Sequence, residues 1–418
     1  MFFQSFAKQP YGLTYAAYVV LPLLLFGIAT VFFGVAIQLP FGCRARQTCS
    51  ILHIACVILA LSVESVPLVP FRDVFVPFAL IDTLHTVWLL WREKRTVSRA
   101  ASFAQRLQAA FRMSVDARRT CLSEISMTSR DRTEYSRRVR FAMARGLHTT
   151  ALLLTHHLVH DSISQRLLQL HLTPRDFDTA KQTLLPQLPM TRRDLFLRTY
   201  MSFAWIWVTY FKLSVAHDIL SILFVCILQW DQPREWPPLF GSIADAYSLR
   251  RFWGAFWHRL HTATLDAYVP AWKATSSPPQ LQPPHHGKSP QQELSARNLA
   301  MTPPLQKTLR ALGVFTYSAI IHSVGNWTVT GRSNVTMELR FFLSNFVVCS
   351  LEVALKRQLR GVREVPRKTR QNETETVGMW SIWTAIVCRA AGYIWVMCVI
   401  FCLASPWQNS IVWIHIRL

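Results

Sequence analysis

The chain has 418 residues with 45 Lys and Arg against 23 Asp and Glu, a net charge of +22, yet only 16% of its residues are charged. Soluble domains carry about 25%. Long uncharged runs holding many of the 26 Phe and 15 Trp exclude a disordered, collagen-like or disulfide-scaffold protein and point to a membrane protein. No run of alternating strands suits a closed barrel, so the crossing segments must be helices, because lipid offers peptide groups no hydrogen-bond partners.

The first uncharged run, Leu13 to Ile37, exceeds the ~20 residues a crossing needs. It is too long for the apolar centre of a cleavable signal peptide and shows no small-residue cleavage site, so it reads as a retained anchor. Further spans are predicted over Ile51–Val69, Val74–Trp91, Tyr200–Leu228, Arg310–Trp327, Phe341–Leu355 and Trp380–Leu403. The expected fold is an all-α, polytopic integral membrane bundle of about 7–9 transmembrane helices. Gly146 to Leu170 is apolar but carries His148, His156, His157, His160, Asp161 and Arg166, and is expected as an interfacial or re-entrant helix.

Residues 92–145 hold fourteen Lys and Arg against five Asp and Glu, a net of +9. Such loops stay cytoplasmic, and this one suits anionic headgroups. Few aromatic residues accompany the charge, so nucleic acid is not an expected partner. Residues 274–304, rich in Pro with Ser276, Ser277, His285 and His286, read as a flexible loop of the single domain 1–418. The nine Cys show no disulfide or zinc spacing. Asn326, Asn334 and Asn372 begin glycosylation sequons, which would make the chain a glycoprotein only where they face the lumen.

Ionisable groups within spans are either paired or used. Glu64 and Asp82 lie near predicted span ends, within reach of water, and Lys212 can snorkel. Asp218, beside His217, is the better candidate for a bond between helices. His156 and His160 share a helix face, but His157 stands where a zinc hydrolase needs Glu, so no metal site is predicted.

The segment W-P-P-L-F-G-S-I-A-D-A-Y-S-L-R-R-F-W-G-A-F-W-H-R-L, Trp236 to Leu260, is the most informative. Ser248 suits an N-cap. After it Phe252, Trp253, Phe256 and Trp257 form an aromatic face accompanied by Arg250, Arg251 and His258. By itself this predicts an amphipathic helix at the membrane interface. A second element, F-T-Y-S-A-I-I-H from Phe315 to His322, places an imidazole in mid-span with no carboxylate nearby in sequence. A buried imidazole is costly there unless it is hydrogen-bonded.

Together the two elements resemble the membrane-bound O-acyltransferases of the wax-synthase type, most closely the fungal branch that acetylates terpenoids and meroterpenoids. Phe315, Ser318 and His322 match the family's F-x-x-S-G-x-x-H, with Ala319 in place of Gly. Pro237, Pro238, Leu239, Phe252, Trp253, Trp257 and His258 match its P-P-L and F-W-x-x-x-W elements. The specific match covers about 35 residues. Ser323 follows the His where plant relatives carry Glu, and the Pro-rich insertion is longer than the family needs.

The resemblance implies acyl transfer from acetyl-CoA to a hydroxyl of an apolar, hydroxylated small molecule. The acyl-CoA is a co-substrate, and no bound cofactor is expected. His322 would act as base, with His258 or donors near Trp257 as oxyanion stabiliser. Trp253, Trp257, Ser318, Asp218 and the phosphate-binding Arg250, Arg251 and Arg259 would complete the binding site. Ser318, four residues before His322, lacks a third orienting group and reads as a neighbour rather than a nucleophile. The endoplasmic reticulum is the expected membrane. Long-chain acyl transfer of the wax-ester type, a transporter, and a non-catalytic membrane protein are the competing readings.

Overall fold

The computed structural model describes residues 13–63, 72–97, 102–116, 135–185, 189–269, 303–363 and 377–416. Glu64, Asn372 and residues 274–302 lie outside them. The described chain is all-helical: α1 (Leu13–Ala36), α2 (Arg44–Ser62), α3 (Arg72–Val87), α4 (Phe103–Val115), α5 (Tyr135–Gln169), α6 (Arg192–Ile222), α7 (Thr262–Tyr268), α8 (Pro303–Thr330), α9 (Val335–Arg363) and α10 (Val377–Ile416). Three helical stretches among the described residues, Arg44–Ser62, Arg192–Ile227 and Ile386–Ile414, are long and apolar enough to cross a membrane. Large apolar side chains face outward along α1 (Val20, Leu24, Val31) and α10 (Trp383, Val387, Ile394), an inside-out surface that lipid covers and water does not.

Several expectations change. The basic segment 92–145 is not one loop: it contains α4, closed at its start by a reciprocal Ser102–Gln105 capping box, and the beginning of α5. Nor is Gly146–Leu170 a separate interfacial helix, because α5 runs unbroken for 35 residues, about 52 Å, alongside α6. His156 lies on that contact, stacked on Phe211 at 4.0 Å and accepting from Trp207 Nε1 at 3.3 Å. Asp82 does not reach water, being buried on α3 at 5% exposure. Pro303 and Pro304 belong to the first turn of α8 rather than to the Pro-rich loop; fixed φ and a missing N–H are harmless there.

Antiparallel α8 and α9 pack together, α10 packs against both, and α6 packs along α10. The largest core cluster forms where the 239–257 segment meets these helices, with Leu249, Phe252, Ala319, Phe341 and Trp407 buried in it. The methyl group of Ala319 is therefore core packing, fully enclosed.

Candidate active site

The 236–260 segment does not lie on the surface as one amphipathic helix. It forms a single helical turn, Leu249–Arg251, then a wider π turn, Phe252–Phe256, ended by an extended Trp257. Ser248 Oγ accepts from Arg251 N at 3.3 Å, and Glu352 of α9 accepts from the N–H groups of Leu249 and Arg250 at 2.9 and 3.0 Å. Those are the donors that a helix start leaves without partners. The P-P-L-F-G stretch clasps the other side, with Gly241 N donating to Phe256 O at 2.9 Å. A Cβ at Gly241 would collide with the Ala255 carbonyl, and one at Gly392 of α10 with that of Tyr247. The segment is thus held between α9 and α10, with its aromatic side chains inward.

One cavity of about 1270 Å³ borders this segment. It follows one face of α8 through Lys307, Ala311, Phe315, Ser318, His322 and Asn326. Nineteen steps of 1.5 Å from Lys307 to Asn326 make its path about 28 Å. Trp253, Trp257 and His258 line it too, with His258 close enough to His322 for the two imidazoles to interact electrostatically, and Trp205, Phe341 and Trp407 add an aromatic wall. Trp253 Nε1 is fixed by Asn345 Oδ1 at 3.0 Å, and Trp407 stacks on Phe341 at 4.2 Å. The His322 ring packs 5.0 Å from Phe342 and 6.1 Å from Trp407.

A third imidazole, His261, also lines the cavity, with its ring 5.1 Å from that of His258. Burial, reinforced by neighbouring imidazoles, pulls His258 well below the ordinary histidine range and His261 down to about 4. Both are neutral at pH 7. Buried His258 Nδ1 has no hydrogen-bond partner among the described residues. No group of His, Cys, Asp and Glu there is arranged to hold a metal ion.

At one end the lining turns cationic, with Arg250, Lys307, Arg310, Lys356 and Arg357; Arg310 also approaches Asp266 at 3.5 Å. The other predicted phosphate ligands lie elsewhere. Arg251 is bound to Asp245 and sits over the Tyr247 ring at 4.6 Å. Arg259 is exposed and donates to Gly254 O. Neither is part of the cavity lining. Asp218 is also outside it, held by Arg145 at 2.8 Å and His148 at 2.6 Å between α5 and α6. That bond between helices is the role its place within a predicted span suggests, and Asp218 does not line this cavity with Trp253, Trp257, Ser318 and Arg250. Of the residues named from sequence, the cavity gathers His322, His258, Trp253, Trp257, Ser318 and Arg250. His261 was legible in the W-H-R-L-H string three residues past His258; Asn345 and Glu352 carried no local signal.

Residues 236–344 match the family model described as Membrane bound O-acyl transferase family. The chain is similar to Acetyltransferase atnC of Arthrinium sp, 30% identical over 224 residues, 53% of this chain and 42% of that one. It is 27% identical over 209 residues to Acetyltransferase ple2 of Rhodocybe pseudopiperita, 50% of this chain and 45% of that one. Acetyltransferase ataH of Aspergillus terreus is 28% identical over 281 residues, 63% of this chain and 76% of that one. The chain spans less than half the length of the first two relatives. No solved structure matches it. The family segment begins at Trp236 and runs past His322, so the resemblance to membrane-bound O-acyltransferases covers the stretch that supplies His258, His261 and His322 to the cavity.

Proposed function

We propose that the protein transfers an acyl group, acetyl in the first instance, from acyl-CoA to a hydroxyl of an apolar acceptor in secondary metabolism. The observation that carries this is one cavity joining a cationic mouth to the imidazoles of His322 and His258. At about 1270 Å³ it exceeds the ~300–1,000 Å³ of a single-ligand pocket, which suits simultaneous binding of donor and acceptor. The coenzyme A phosphates would meet Arg250, Lys307, Lys356 and Arg357 at the mouth, with the pantetheine arm leading the thioester inward.

An alcohol is a poor nucleophile at neutral pH without a base in contact. His322 takes the hydroxyl proton as the oxygen attacks the thioester carbonyl. His258, whose Nδ1 has no partner among the described residues, stabilises the developing oxyanion through whichever ring nitrogen carries its proton, an electrostatic effect favoured by an enclosed site. The C–S bond then breaks, and the proton held by His322 passes to the departing sulfur. No covalent enzyme intermediate is required. The acetyl preference follows the names of the relatives, and the acceptor's apolar character follows the aromatic wall. The reading places the protein in the endoplasmic reticulum membrane with about seven to nine crossings.

The test is His322→Ala in microsomes given labelled acetyl-CoA and a pool of hydroxylated terpenoids. Acetyl transfer should fall at least a hundredfold, the scale of general-base loss (~10²–10⁴), with insertion and abundance unchanged. Wild-type turnover by the variant would remove His322 as base. Competition between acetyl-CoA and palmitoyl-CoA decides between acetyl transfer and wax-ester formation.

A further inference from the structure

The chemistry above uses the imidazoles and the cationic mouth but not the opposite end of the cavity. There Asn326 lies four residues beyond His322 along α8 and lines the same space, about 6 Å farther along the helix axis. Its Nδ2 donates to Glu338 Oε1 at 2.5 Å, and Trp407 Nε1 donates to Glu338 Oε2 at 2.8 Å. Glu338 is only 2% exposed and does not itself line the cavity. Burying a carboxylate is costly unless its lone pairs are satisfied. Here α8 and α10 each supply a donor, and Glu338 lies in the first turn of α9, where the helix dipole favours an anion. The carboxylate thereby ties three helices together and fixes two cavity-lining groups. Gln408, beside Trp407, supplies a second carboxamide to the same end, among Pro77, Ile411 and Val412.

Building on the acyl-transfer reading, we propose that this end reads a second polar group on the acceptor. Asn326 and Gln408 are the reading groups, and Glu338 is the positioning residue that orients Asn326. The acceptor class is then an apolar skeleton with two separated oxygen functions, one presented to His322 and the other roughly 6 Å deeper. A simple fatty alcohol does not satisfy this end. Two carboxamides placed to hydrogen-bond a ligand discriminate against the analogue lacking that group.

The experiment compares a rigid terpenoid diol with its mono-ol as acceptors for acetyl-CoA, in membranes holding wild type, Asn326→Leu, Gln408→Leu or Glu338→Gln. Wild type should favour the diol about tenfold or more in kcat/KM. Each variant should lose most of that preference through a raised diol KM, while KM for acetyl-CoA stays within about twofold. Equal use of both acceptors by wild type, or variants that weaken both acceptors and acetyl-CoA alike, would overturn the subsite. Thermal stabilisation of the purified protein by diol and mono-ol is read in parallel. Selective stabilisation by the diol without any turnover would sink the acyl-transfer reading and keep the subsite, and no selectivity in either assay would sink the subsite.

Discussion

His258 and His261 stand three positions apart on the loop between the π turn and α7, and the interior holds both uncharged. Neutrality has a thermodynamic consequence. Above pH 6.5 neither the folded nor the unfolded chain protonates these groups, and their contribution to stability is constant. Below 6.5 the unfolded chain takes up protons that the folded chain refuses until pH approaches about 4 for His261, so stability falls as pH falls across that window. The melting temperature of the detergent-purified protein should therefore drop between pH 7 and pH 5. His261→Gln, which cannot titrate, should show a shallower drop; an identical slope would remove His261 as a source. At this scale the cavity-lining histidines are legible, because an imidazole in a hydrocarbon-length run and a Trp-His pair are costly choices that stand out. The arginines were not sorted correctly. Arg250, Arg251 and Arg259 look alike in sequence, and only the placement of Asp245 and Gly254 reveals that two of them are occupied within the chain.

The element that shapes the site is a turn of unusual width rather than a regular helix. Aromatic residues at 252, 253, 256 and 257 fit a helical stripe in a short window, and the stripe is real, since Phe252, Phe256 and Trp257 are all buried. What a window cannot show is that Glu352, about a hundred residues away, satisfies the first N–H groups, or that Gly241 and Gly392 let two backbones close on the segment. Those long-range constraints turn a predicted surface helix into a buried clasp. Gly241→Ala should push the Phe252–Phe256 turn away from the 237–241 stretch and cost about 1–3 kcal/mol, as overpacking does, read as a lowered melting temperature. Because the displaced turn carries Trp253 and leads to His258, acetyl transfer should fall further than the loss of folded protein explains. Unchanged stability and activity would mean the clasp is not closed in solution. The same limit applies to α5, whose polar side chains suggested an interfacial piece and whose continuity depends on α6 along its flank.

Over α2 to α4, α8 and α9, positive charge and helix direction agree on an orientation, while Arg192 and Arg193 open α6 at the opposite end. Arg44 and Arg46 begin α2, Arg92 and Lys94 follow α3, and Arg112 of α4 pairs with Asp231 and Glu235 just beyond α6. Lys307 and Arg310 open α8, and Lys356 and Arg357 lie towards the end of α9. Antiparallel packing brings these ends to one side, the side that the positive-inside tendency assigns to the cytoplasm, and the cavity's cationic mouth is there too. On the proposed reaction the donor is a polyanion that cannot cross lipid, so its entry side must be the side where it is made. The connection between α8 and α9, with Gly331 and Arg332, falls on the other face. Asn326 and Asn334 lie near that face, with Asn326 Nδ2 donating to Glu338 and Asn334 Nδ2 to Ser410. Cysteine placed at Arg357 or at Arg332, in a background where the native cysteines are replaced by serine, tests the arrangement with a membrane-impermeant maleimide on sealed microsomes. Arg357→Cys should label directly and be protected by coenzyme A, whereas Arg332→Cys should label only after permeabilisation. The reverse pattern would put the cationic mouth in the lumen, and coenzyme A would then have no route to the imidazoles.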